Sequence, residues 1–222
     1  MGHDDEAAII YQIDVDRGEV VKRFAVGKPV LRGDFEGLAI DGDGDFYLTT
    51  SAGLLYRFAE GEDGAFVAFE SFDTALGEIG EIEGLAFQQA DEKVIFACKT
   101  SYTPALRGAV ALFAWSPRTP AQAARPWLTI PVPLLADAIG ATSFHPSSLE
   151  FDVRTGRLVV LAGREHGMVE LDAQGMLLAA RGLGEHHRQA EGATILADGA
   201  LVIADEGGDA HARMTRYARI DD

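Results

Sequence analysis

One phrase returns along this chain. Asp34-Phe35-Glu36-Gly37-Leu38-Ala39-Ile40-Asp41 recurs as Glu81-Ile82-Glu83-Gly84-Leu85-Ala86-Phe87, and again as Gln189-Ala190-Glu191-Gly192-Ala193-Thr194-Ile195. A degenerate copy reads His145-Pro146-Ser147-Ser148-Leu149-Glu150-Phe151-Asp152. Units that recur at tens of residues mark a repeat architecture, in which each unit buries its apolar face only against its neighbours. Counted from Glu36, Glu83, Ser147 and Glu191, the copies lie 47, 64 and 44 residues apart. The first and last spacings fit the about 40–50 residues of a propeller unit.

Each copy opens the same local pattern. Period-2 alternation of apolar and polar residues dominates, as half-buried strands require. Glu36 to Asp41 leads through Gly42-Asp43-Gly44 to Phe46-Tyr47-Leu48-Thr49. The other copies lead through Ala90-Asp91-Glu92, Arg154-Thr155-Gly156 and Ala197-Asp198-Gly199 to second apolar runs. Short polar links between apolar runs are hairpin signals. Third strands are expected at Leu54 to Phe58, Val110 to Trp115, Met168 to Leu171 and Met214 to Tyr217, with fourth strands at Phe66 to Phe69 and Met176 to Ala180. Four antiparallel strands per repeat describe a propeller blade. The fold expected is an all-β, five-bladed-type propeller, a single domain over residues 1–222.

Two stretches break the pattern. Residues 117–140 are proline-rich and read as an interblade insertion, with a short helix at Leu134 to Ile139. At the N-terminus, Ile9 to Val15 and Val20 to Val26 look like the outer strands of a blade whose inner hairpin is lacking. The first blade is therefore expected to be incomplete. Its unpaired edge at Ile9 to Val15 is expected to favour self-association.

Composition narrows the function. A net charge of −16 argues against nucleic acid or an anionic membrane as partner. It suits a protein that gathers cations. No run approaches the ~18 apolar residues of a membrane span. Met1 to Glu6 has neither the basic nor the apolar region of a signal peptide. Cys98, the one cysteine, sits in the apolar run Val94 to Cys98 and reads as a buried thiol.

The pattern resembles the SdiA-regulated family of propellers. The resemblance rests on the Glu-Gly-Leu-Ala cores at Glu36 and Glu83, His145-Pro146 before the Ser-Ser-Leu core, Gln189-Ala190-Glu191-Gly192, and Ala204-Asp205-Glu206. It implies a five-bladed propeller, a periplasmic or envelope-associated setting, and calcium as a plausible bound ion. The family is similar in turn to esterase-like phytase and gluconolactonase-type propellers, in which acidic residues near the axis bind a divalent metal.

The chief candidate site is the set Glu36, Glu83 and Glu191. These begin equivalent inner strands and are expected to ring one mouth of the channel, with Ser147 in the fourth place. Clustered carboxylates repel unless something neutralises them. Calcium, with six to eight oxygen ligands, does so. Equally, each glutamate can simply cap neighbouring backbone N–H groups. The residues ending the second strands are Lys99, Arg164 with His166, and Asp205 with Glu206, with His3-Asp4-Asp5 as the first blade's counterpart. They are expected on the opposite face, with Lys99 solvated.

Asp41-Gly42-Asp43-Gly44-Asp45 lacks the twelfth-position glutamate of a calcium loop, since Ala52 stands there; it reads as a hairpin turn. His186-His187 reads as a solvated interblade loop. His145 could serve as a base for a serine nucleophile, but no Gly-x-Ser-x-Gly elbow supports this. The aromatics Tyr56, Phe58, Phe66, Phe69, Phe113 and Trp115 read as packing between blades. The function expected is calcium or small-ligand binding in an envelope-associated scaffold. The alternative is a divalent-metal hydrolase of a phosphoester, ester or lactone, with His145 or His187 as base.

Overall fold

Five successive sheets arranged as a propeller make up the chain in a computed structural model, described for residues 1–116, 118–119, 125–207 and 211–218. The second blade shows the rule. β4 (Phe35–Ile40), β5 (Asp45–Thr50), β6 (Leu54–Ala59) and β8 (Glu70–Asp73) pair antiparallel in that order. The third blade is β9 (Gly80–Gln88), β10 (Lys93–Ser101), β11 (Ala109–Trp115) and β12 (Pro126–Pro131). The fourth is β13 (Ser148–Phe151), β14 (Leu158–Ala162), β15 (Gly167–Leu171) and β16 (Leu177–Gly182). The fifth has three strands among the described residues: β17 (Ala190–Ile195), β18 (Leu201–Asp205) and β19 (Arg213–Tyr217).

The first blade departs from expectation. It is abbreviated at its inner side but not empty there. β1 (Gly2–His3) pairs with β2 (Ile9–Asp14), placing Gly2 opposite Tyr11 and His3 opposite Ile10. β2 then pairs with β3 (Glu19–Val26). The edge expected at Ile9 to Val15 is thus occupied at Ile10 and Tyr11. The outermost strand is β7 (Phe66–Val67), paired parallel to β3. Phe66 and Val67 therefore belong to the first blade, and Glu70–Asp73 takes the place expected of Phe66 to Phe69 in the second.

The proline-rich stretch is also more than an insertion. Its residues Pro126–Pro131 are the fourth strand of the third blade, and prolines suit an outermost strand because one edge needs no donors. The helix α1 (Val132–Ile139) follows, with proline in its first turn and Gly140 closing it at φ 74°. Pro117 and residues 120–124 lie outside the described residues.

The core lies between blades, where the flat faces of successive sheets meet. Phe24, Phe35, Phe46 and Phe58 fill the space between the first and second blades. Tyr47, Phe87, Phe96, Phe113 and Trp115 fill the next, with Tyr47 stacked on Phe87 at 5.7 Å. Burying each such ring stabilises by roughly 1.5–3 kcal/mol. The expected packing role holds for Phe58, Phe113 and Trp115, whereas Phe66 and Phe69 are exposed. Cys98 is buried, and burial pushes its thiol up to about 11. No helix among the described residues is long and apolar enough to cross a membrane.

Candidate functional site

The inner strands β4, β9, β13 and β17 pack side by side around the axis. The repeated glycine explains how they come so close. A Cβ on Gly37 would meet the Leu85 Cβ at 2.6 Å, and one on Gly84 would meet the Leu149 Cγ at 3.0 Å. In the fourth blade Ser148 holds the glycine's place, and its Oγ accepts a hydrogen bond from the Ala193 N–H at 3.1 Å. Leu85, Leu149 and Ala193 are equivalent positions of the repeat. In the three seams between β4, β9, β13 and β17 the small residue therefore seats the next unit's inner strand.

The glutamate before that glycine has its own cause. Phe35 pairs with Thr50 and Gly37 with Thr49, so Glu36 is skipped. Glu191 is skipped in the same way between Ala190 and Gly192, and Glu83 between Ile82 and Gly84. Each glutamate is thus the extra residue of a β-bulge. A bulge re-aims one side chain and commonly sits beside a functional site. The three carboxyls act on one another: Glu36 feels Glu83 and Glu191, and Glu191 feels Glu83.

The strand-two ends lie on this same face, which corrects the expectation. The second strand of a hairpin returns to where the first began. Lys99 donates to Glu83 at 2.5 Å and stands 3.9 Å from Glu81, so it is not merely solvated. Ser51 donates to Asp34 at 2.5 Å, and Gln189 bonds both Glu191 and Glu206. In the second and fifth blades a residue just after strand two ties down one just before strand one, and in the third Lys99, near the end of β10, ties down Glu83 in β9.

Electrostatics follow from this crowding. Glu83 is 6% exposed. Burial lifts its carboxyl above the usual range against the pull of Lys99. Burial, with repulsion from Glu83, Asp34 and Glu191, pushes Glu36 up to about 8. Glu191 is more open to solvent; burial and the repulsion of Glu206 carry it to about 7, against the Gln189 hydrogen bond. Burial lowers the Lys99 ammonium, but Glu83, Glu81 and Glu36 outweigh it and hold Lys99 above its ordinary value. Among the described residues, no three His, Cys, Asp or Glu side chains are grouped so as to hold a metal ion.

Ser147 is a tether between blades. Its Oγ donates to the Ala190 carbonyl at 2.7 Å and accepts from the Gly163 N–H at 3.0 Å. His145 instead pairs with Glu165, its Nδ1 at 2.6 Å from Oε1. His187 is fully buried, not solvated. Its Nδ1 lies 2.6 Å from Asp205 Oδ2 and its Nε2 2.5 Å from the Tyr217 hydroxyl. Sequence reasoning missed Glu165 and Tyr217. The Asp41 turn is ordinary: Asp41 Oδ1 accepts from the Asp43 and Asp45 N–H groups.

Residues 134–217 match the model of the SdiA-regulated family. The resemblance carried by His145-Pro146-Ser147-Ser148, Glu191-Gly192 and Asp205-Glu206 falls inside that match. No curated protein matches the chain by sequence. Glutaminyl cyclase from Myxococcus xanthus superposes with a TM-score of 0.56 at 14% identity, over 94% of this chain and 82% of its own. A luciferin-regenerating enzyme gives 0.51 at 14% identity, over 84% of this chain and 62% of its own. A Bacteroides caccae protein of unknown function gives 0.46 at 11%, over 91% of this chain and 66% of its own. The chain thus spans less than two thirds of the last two. At these identities the likeness shows the propeller fold alone.

Proposed function

We propose that the acidic mouth binds a small molecule carrying an ammonium group. The observation that supports this most is the behaviour of Lys99. It is an alkylammonium held between Glu83 and Glu81, and among the described residues Glu36 and Glu191 have no ion-pair partner, although Lys99 acts on Glu36 from a distance. Burial raises those two carboxyls to about 8 and about 7, with repulsion from neighbouring acids adding to it, so both hold protons near neutrality. An incoming cation releases the protons and takes their place. Calcium is the inorganic ion that the same carboxylates suit. An organic cation is preferred because, among the described residues, no three His, Cys, Asp or Glu side chains are grouped so as to hold a metal ion. An envelope-associated role rests on the family likeness alone.

Calorimetry decides between the cations. Butylamine and calcium chloride are titrated into the wild type and into Glu36→Gln, in two buffers of different ionisation heat. Butylamine is expected to bind with proton release, and Glu36→Gln to bind about tenfold more weakly, one charged hydrogen bond being worth roughly 1.5–3 kcal/mol. Heat from calcium alone would make the ligand a metal, and heat from neither would refute the reading.

Hydrolysis of an ester, lactone or phosphoester with a divalent metal is the second reading. Glu36 favours it, because a carboxyl near 8 suits a general acid or base at neutral pH. Chelator-sensitive turnover of generic substrates that disappears in Glu36→Gln would establish it.

A further inference from the structure

Two of the three glutamates at the mouth already hold a hydrogen donor that the protein supplies. Glu83 holds the Lys99 ammonium, its Oε1 at 2.5 Å. Glu191 holds an amide: Gln189 Nε2 donates to Glu191 Oε1 at 2.9 Å and also to Glu206 Oε2. An amide nitrogen carries two hydrogens, and these two contacts use both. Glu36 has no hydrogen-bond partner among the described residues. The fifth blade thus offers its carboxyls a neutral substitute for the ammonium that Lys99 brings to the third.

The substitute is held by its backbone, not by packing around its tip. The Gln189 N–H donates to Asp205 Oδ1 at 3.3 Å, and the Gln189 carbonyl accepts from the Glu206 N–H at 2.9 Å. Asp205 Oδ2 is in turn tied to Nδ1 of the fully buried His187 at 2.6 Å. Gln189 itself is exposed, and its side chain has no partner beyond the two acids among the described residues. Rotation about its own torsions moves the amide into water while the backbone contacts stay in place.

We propose that Gln189 is a built-in competitor at the mouth: its amide occupies oxygens of Glu191 and Glu206 that an incoming ammonium takes, and the ligand displaces it. This rests on the amine-binding reading above and adds a source of selectivity. A neutral donor gives these carboxylates no more than Gln189 already does, whereas a cation adds its charge to the hydrogen bond. The exchange therefore selects ammonium compounds over amides.

Gln189→Met keeps the length of the side chain and removes both hydrogens, whereas Gln189→Lys tethers an ammonium in the same place. Butylamine is titrated into the wild type and both variants by calorimetry at pH 9, above the Glu36 and Glu191 midpoints of about 8 and about 7. Affinity is expected to rise about tenfold in Gln189→Met and to fall about tenfold in Gln189→Lys. A 13C NMR titration without ligand reads the contact itself. The Glu191 midpoint is expected to rise in Gln189→Met, which loses the hydrogen bond that lowers it, and to fall in Gln189→Lys. If the wild type binds butylamine and Gln189→Met binds it no better, the competitor is overturned and amine binding stands. A Glu191 midpoint that neither variant moves overturns the competitor too. Binding by Gln189→Met and not by the wild type is competition at its limit and supports it. No heat from any of the three proteins overturns both readings.

Discussion

Glu36 is the residue on which the electrostatics of the mouth turn. Its carboxyl is raised from 4.5 to about 8, so the folded state holds the proton more tightly than the unfolded chain does. The resulting stability is complete below pH 4.5 and is lost as pH rises through about 8. Glu36→Gln removes that loss. Its thermal midpoint is expected to exceed that of the wild type at pH 9 and to equal it at pH 4, each kcal/mol being worth roughly 2–4 °C in a domain of this size. Equal midpoints at both pH values would contradict the shift. His187 offers a test of structure without ligand. His187→Phe removes the ring partner of the buried Asp205 Oδ2 and one of the two ring partners of the Tyr217 hydroxyl, which keeps His186 Nε2. Urea denaturation is expected to show a loss of about 1–3 kcal/mol; a loss below about 0.5 kcal/mol would class the site with ordinary surface positions. The repeated glutamates were legible in the sequence because repetition marks them. Glu165 was not: Arg164 and His166 flank it, and only the turn decides which of three consecutive side chains reaches His145.

At the scale of the element, the repeat encodes a device for stacking strands. Glutamate is the bulge residue and glycine the seat for the next inner strand. Gly37→Ala is expected to cost about 1–3 kcal/mol, because the new methyl overlaps Leu85 in a packed inter-blade seam. Gly44→Ala, with open space around it but φ at 87°, tests backbone strain alone. Equilibrium unfolding of the two variants separates the causes: a Gly37→Ala loss that relocated no inter-blade contact, measured by hydrogen exchange at Leu85, would contradict the seat. Hairpins were readable from alternation and turn chemistry. The parallel pairing of β7 with β3 was not, because a two-residue strand carries no periodicity. The face of the strand-two ends was misjudged, yet hairpin geometry alone determines it: Lys99 must return to the level of Glu83.

At the scale of the whole molecule, a charge of −16 acts against the ring and would favour a cationic ligand. Self-repulsion is screened as the Debye length falls to about 8 Å at physiological ionic strength. The thermal midpoint is therefore expected to rise with sodium chloride, while butylamine affinity falls; affinity unchanged by salt would deny that the acids attract the ligand. The family likeness was legible in four repeats, of which the copies at Ser147 and Glu191 fall inside the matched residues 134–217 and those at Glu36 and Glu83 outside them. Convergence of the glutamates depends on ring closure, which no single repeat contains. The most direct measurement is a 13C NMR titration of the Glu36 carboxyl, with and without butylamine. A midpoint of about 8 in the free protein, moving down when the amine is present, is the expected result. A midpoint in the ordinary glutamate range near 4.3, indifferent to the amine, would contradict the account.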